Sequence, residues 1–315
     1  MQKILTIGGA MYDMFIKYEN VIHDESHVIF SAGKKIEVAD VECHAGGGAV
    51  NSAVSFAKMG FSVETFFKCG DDEQATFIKN RLHSQNVFTE CVVATHFAKT
   101  GQSFILFHSS GNHPILSYRA ANLLLSSSEI PYSSIEAADV LYITSLNGQS
   151  ASCLLPIVMH AKKHKKYVAV NPGTYQLSTG AQLLQQALPY IDILVLNEHE
   201  AQLLMGTLQQ HFLIEKFFEY IKSKGPSVIV VTQGASGVSV CEDDSVIFTP
   251  SIKTDVVSTV GAGDAFSSMF VACLMYNYDI KNASRAGVFN SASVIQHFGA
   301  QTGLLTKEEI DKKLL

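Results

Sequence analysis

The chain has 315 residues, 47% of them hydrophobic and 17% charged, enough apolar content over enough length to bury a large core, which excludes disordered and fibrous classes. Its net charge of −6 excludes a partner held mainly by phosphate neutralisation, so no nucleic acid is expected. Lys3–Gly8 reads as a first buried strand, and Phe15–Val41 then departs from any helical pattern. Ala49–Met59 reads as a helix stopped by Gly60, Val63–Cys69 as a strand and Glu73–Leu82 as a helix. Ala94–Tyr118 is the second irregular stretch, within which Ser103–His108 alternates polar and apolar like a half-exposed strand. Regular alternation resumes with strands at Val140–Ile143, Tyr167–Val170, Ile193–Leu196 and Val228–Val231. The helices between them are Ala151–Lys163, Leu183–Leu188 and Leu213–Ser223, the last stopped by Gly225. Helical patterns then cover Ala265–Tyr276, Ala283–Phe298 and the tail from Lys307.

This β–α order predicts an α/β fold, a mostly parallel sheet covered on both faces. The irregular segments, bounded at 14–44 and 94–119, predict a small antiparallel sheet beside the core. With no linker and no repeat, residues 1–315 read as a single domain carrying that insert. Cys43, Cys69, Cys91, Cys153, Cys241 and Cys273 lie far apart without zinc spacing and read as reduced thiols. Too few apolar residues precede Asp13 and Lys17 for a signal peptide, and no window reaches the ~18 apolar residues of a membrane span. No membrane partner is expected, and the expected compartment is the cytosol.

The strongest local motif is Ser258-Thr-Val-Gly-Ala-Gly-Asp264, a small-residue turn opening an apolar helix. Unobstructed backbone N–H groups at a helix N-terminus suit a phosphate or a developing anion. Asp264 there is either a cap or a base positioned to accept a hydroxyl proton. Ala45-Gly-Gly-Gly-Ala-Val-Asn51 opens another helix: either a tight turn or a close backbone approach to a ligand, with Asn51 supplying donor and acceptor. It is neither a Walker A loop nor a dinucleotide fingerprint.

Asn197 and Glu200 follow a buried strand and share a helical face, suiting a polar helix start or a hydrated magnesium ion. Thr232-Gln-Gly234-Ala-Ser-Gly237 either shelters a nucleotide or reverses the chain into Val238–Cys241. Asp13 follows the first strand at the same carboxyl edge, as a turn residue or a ligand to hydroxyls. The run Lys162-Lys-His-Lys-Lys166 reads as a solvated helix end, and no histidine is assigned a role.

In this order the motifs resemble those of the ribokinase-like carbohydrate kinases, the phosphofructokinase-B (PfkB) family. Gly46-Gly47-x-x-x-Asn51 is similar to its first signature and Thr259-Val-Gly-Ala-Gly-Asp264 to its second. Asn197-x-x-Glu200 is similar to its magnesium-associated motif, and Gly70-Asp71-Asp72 and Ala121-Asn122 also fit. The resemblance implies a three-layer α/β/α core, a small β lid, and ATP-dependent phosphorylation of a hydroxyl, expected to be the primary hydroxyl of a small sugar. It implies Asp264 as base, Gly261, Ala262 and Gly263 as N–H donors to the phosphoryl, and Asn197 and Glu200 holding magnesium largely through water. It further implies Asp13, Gly46, Gly47 and Asn51 on the acceptor, and Asn197, Thr232, Gly234, Gly237 and Asn290 at ATP.

Ser258 stands where the family commonly has Asp. A neutral hydroxyl is a poorer potassium ligand, so potassium activation is not expected to carry over unless Asp255 supplies the charge. Phe97, Phe104 and Phe107 in the lid keep a nucleoside acceptor as the alternative, and Arg119 keeps a keto-sugar acid. A sensor without turnover is the reading from a different class. A free lid edge would allow a homodimer.

Overall fold

The computed structural model describes residues 1–18, 22–23 (backbone only), 28–107, 114–206 and 212–315, so His108 lies outside the described residues. A nine-stranded sheet runs Ser245–Pro250, Gly237–Glu242, Val228–Thr232, Ile193–Asn197, Tyr167–Val170, Val140–Ile143, Lys3–Ile7, Ser62–Phe66, Val87–Phe88. From Val228–Thr232 onward neighbours are parallel, and the first two strands close one edge as an antiparallel hairpin.

Alternate side chains enter two separate cores. Ile4 and Tyr142 pack with helices Gly48–Lys58, Ala262–Met275 and Ile280–Val294 on one face. Leu5, Ile7, Leu141 and Ile143 pack with Leu154–Lys163, Ala181–Ala187 and Ile214–Lys222 on the other. Strands covered on both faces read as continuous apolar runs, which is why these were recognisable. Burial of Ile4, Leu5 and Ile7, all fully enclosed, contributes roughly 1.5–3 kcal/mol apiece.

The expected strand Val63–Cys69 divides at buried Phe67: Ser62–Phe66 stays in the large sheet, while Lys68–Gly70 pairs with Val93–Thr95. The inserted segments form a four-stranded sheet in the order Ile115–Tyr118, Gly101–Phe107, Met11–Lys17, Asp40–Gly46. It is mixed rather than antiparallel, because Gly101–Phe107 runs parallel to Met11–Lys17. Both strands leave the same edge of the core, where Asn122 exchanges two hydrogen bonds with the backbone of Ala10, so they head the same way. Its strands begin at Met11 and end at Gly46, wider than 14–44, and therefore carry Asp13 and Gly46 themselves.

All six cysteines are free thiols, four of them buried. No helix among the described residues is long and apolar enough to cross a membrane.

Candidate active site

Helix Ala262–Met275 is apolar nearly all round and correspondingly buried, and its N-terminus opens at the carboxyl edge of the sheet. Gly261 caps it in the left-handed region, φ +81, and a Cβ there would lie 2.2 Å from that of Ala300. The turn therefore requires glycine at this position. Ala262 donates its N–H to Thr259 O at 3.2 Å, which corrects the expectation that it is an open donor. The first-turn N–H groups of Gly263 and Asp264 have no acceptor within the helix. A Cβ on Gly263 would meet nothing within 4 Å, so no packing requirement of the fold accounts for that glycine.

Asp264 Oδ2 accepts a 2.8 Å hydrogen bond from Asn51 Nδ2. Gln301 holds the Asn51 amide: its Nε2 donates to Asn51 Oδ1 at 3.3 Å and to Ala45 O at 2.8 Å, while its Oε1 accepts from Arg81 Nε. Asn51 therefore positions the carboxylate, with only one amide hydrogen left for a substrate. Beneath, Ser267 and Ser268 bond back to the carbonyls of Gly263 and Asp264. Ser267 also accepts from Tyr142 Oη, and Ser268 bonds Ser55. Burial raises the Asp264 carboxyl above the ordinary carboxylate range, and the Asn51 hydrogen bond partly offsets this.

Asp13 lies on the buried face of the four-stranded sheet, flanked in register by Ser103 and His44 on the two neighbouring strands. It is 6% exposed, and burial pushes its carboxyl up to about 6; Ser103 and His44 oppose that shift and the Asp264 charge adds to it. A Cβ on Gly46 would sit 1.8 Å from Asp13 Oδ2, so this glycine makes room for the carboxylate. Gly47, at φ +90, lies where a Cβ would strike Gly9 O at 2.5 Å. Arg119, exposed past the end of Ile115–Tyr118, has no ion pair among the described residues.

Asn197 and Glu200 form a reciprocal cap: each side chain accepts the other's backbone N–H at 2.9 Å. Glu200 Oε1 stays open. Burial raises the Glu200 carboxyl, and the Asp264 charge raises it further, so the two carboxylates act on each other. Among the described residues neither has an ion-pair partner, an electrostatic condition that a magnesium ion would relieve.

Thr232 lies beside Asn197 in register. Gly234, at φ +55, borders open space, whereas a Cβ on Gly237 would meet Thr249 O at 2.2 Å, so Gly237 serves the hairpin. Asn290 packs next to the first turn of helix Ala262–Met275. It is fully buried, donating to Ala265 O and accepting from Leu305 N, which ties two segments of the core together. Sequence reasoning missed Gln301, Arg81, Tyr142, Ser103 and His44, none of which lies in a motif. Ser267 and Ser268 did carry a signal, as hydroxyls four residues beyond Gly263 and Asp264 inside an apolar helix.

Residues 1–307 match the model of the pfkB family carbohydrate kinases. Ribokinase of Staphylococcus aureus is 26% identical over 317 residues, covering 98% of this chain and 99% of its own. The structure of Arabidopsis thaliana ribokinase complexed with ribose and ATP superposes with a TM-score of 0.83 at 20% identity, covering 100% of this chain and 99% of that one. A nucleoside kinase of Methanocaldococcus jannaschii superposes with 0.78 at 20% identity, covering 100% and 98%. A family model spanning nearly the whole chain, over a fold shared end to end, shows that this protein belongs to the pfkB family of carbohydrate kinases.

Proposed function

We propose that this protein transfers the γ-phosphoryl group of ATP to a hydroxyl, expected to be primary, of a small sugar. The observation that carries the reading is Asp264: a carboxylate of raised proton affinity, held by Asn51 beside the open N–H of Gly263, at the carboxyl edge of the sheet. Asp264 takes the proton of the acceptor hydroxyl as its oxygen bonds to the γ-phosphorus. The bond from phosphorus to the β–γ bridging oxygen breaks, and ADP leaves. The N–H groups of Gly263 and Asp264 stabilise charge on the phosphoryl oxygens. Asp13 accepts hydrogen bonds from acceptor hydroxyls within the lid, whose cover keeps water from competing as acceptor. Glu200, with Asn197 beside it, would hold magnesium largely through water. Bound there, that ion neutralises phosphate charge. Thr232 and Gly234 border the nucleotide.

The sugar reading draws support from the lid aromatics. Phe104 lies on the strand face opposite Asp13 and Phe107 packs on Phe298, so neither stands open beside Asp13 to cover a purine. The apolar lid edge, Ile115, Leu116 and Tyr118, is the surface through which a second copy would pair.

The test is magnesium-dependent ADP release across ribose, deoxyribose, fructose, keto-deoxygluconate, adenosine and inosine. Turnover with a free sugar supports the reading, and keto-deoxygluconate turnover would bring Arg119 into the site. Turnover with nucleosides alone replaces it with a nucleoside kinase. ATP binding with no acceptor-dependent turnover favours a sensor.

A further inference from the structure

Helix Leu154–Lys163 ends where Tyr167–Val170 begins, at the amino edge of the sheet, opposite the edge that carries Asp264 and Glu200. There His160 and His164, four apart and so on one helical face, meet Glu136 from the short helix Tyr132–Ala137. His160 Nε2 lies 2.9 Å and His164 Nε2 3.5 Å from the same Glu136 Oε1, and the three ligand atoms lie within 4.8 Å of one another. The imidazoles stack at 4.5 Å and 29°, and Tyr132 packs against His160 at 4.6 Å, so both rings are restrained. Side-chain exposures of 21%, 33% and 47% for His160, His164 and Glu136 leave an open path for an ion and for water.

We propose that Glu136, His160 and His164 form a binding site for a divalent transition-metal ion of the zinc class, separate from the catalytic edge. Two imidazole nitrogens and one carboxylate oxygen are a zinc donor set, with water completing the coordination. A hard cation is excluded by the same chemistry: magnesium and calcium need several oxygens, and this cluster offers one carboxylate. The helix end also carries Lys162, Lys163, Lys165 and Lys166, of which only Lys162 is ion-paired among the described residues, to Asp192. A cation there is held by its two nitrogen ligands and the one carboxylate, not by a surrounding field of negative charge. The bound ion fastens the six-residue helix Tyr132–Ala137 to Leu154–Lys163, so binding stabilises the folded state.

The full-length chain is titrated with cobalt(II), as a coloured zinc surrogate, in excess magnesium, and the bound cobalt is then displaced with zinc. One equivalent of cobalt is expected to give a visible ligand-field absorption that zinc abolishes. The double variant His160→Ala/His164→Ala is expected to lose it while retaining kinase turnover. Glu136→Gln, which keeps both imidazoles, is expected to weaken binding by about tenfold or more. Zinc is expected to raise the Tm of the wild-type chain and not that of the double variant. If the double variant misfolds, His164→Gln and Glu136→Gln carry the comparison. Absence of cobalt absorption in the wild-type chain, or undiminished binding in the ligand variants, overturns the proposal.

Discussion

Asn51 and Asp264, 213 residues apart in sequence, meet at 2.8 Å where the N-termini of two buried helices converge. Each helix opens on a glycine turn, and each turn aims one polar side chain at the other. The pair bears on the alternative of Asp264 as a helix cap. Its side chain accepts no backbone N–H of its own helix and instead holds an amide that Gln301 orients.

Asp264→Asn removes the proton acceptor while keeping volume and polarity. A kcat loss of about 10²–10⁴-fold is expected, with ATP affinity nearly unchanged by calorimetry. Residual turnover near the wild-type rate would take Asp264 out of the reaction.

Gly261 and Gly263 are two residues apart and should respond oppositely. Gly261→Ala forces a side chain into Ala300 from a left-handed backbone, so a lowered Tm is expected. Gly263→Ala meets open space inside a helix, where alanine is favoured by about 0.5–1 kcal/mol, so Tm should hold or rise while kcat falls. Thermal melts and initial rates on both variants separate the roles; full activity in Gly263→Ala would mean that no phosphoryl group passes close to that position.

Asp13 carries the pH dependence. Its native value of about 6 lies above the ordinary 3.8, so the native state binds more protons between those values. Stability from this group therefore increases as pH falls through about 6, and its ionisation costs stability at neutral pH. Asp13→Asn is expected to gain on the order of 2–3 kcal/mol at pH 7 and about half that at pH 5, while raising the acceptor KM steeply. Denaturant melts at the two pH values check the sign, and a variant less stable at pH 7 than the wild type would refute it.

Gly46→Ala tests the same carboxylate from its neighbour. The added methyl overlaps Asp13 Oδ2, so the acceptor KM should rise at least about tenfold while the nucleotide site stays intact. An unchanged KM would mean that Asp13 does not touch the acceptor.

Ser258 is 1% exposed and accepts the Val260 N–H at 3.3 Å, while Asp255 is exposed. No carboxylate is therefore held at the buried position. Turnover is expected to be equal in potassium and tetramethylammonium chloride at matched ionic strength; a large potassium stimulation would contradict this reading.

Length, charge and the periodicity of apolar runs determined the α/β class and the strand positions, because a strand buried on both faces must be apolar throughout. The Gly-Ala-Gly-Asp264 turn and Asp13 were legible too, since small residues and carboxylates at strand or helix ends are local features. Tertiary structure alone decided what each polar side chain touches. It made the small sheet mixed, placed Ser103 and His44 beside Asp13, closed Asn197 and Glu200 into a cap, and buried Asn290 between Ala265 and Leu305. It also brought Glu136 to His160 and His164, whose four-residue spacing had carried no assignment. The physical reason is range. Periodicity and turn chemistry act over a few residues, whereas hydrogen-bond partners and burial are set by chain segments that meet only when the sheet and its helices close around them.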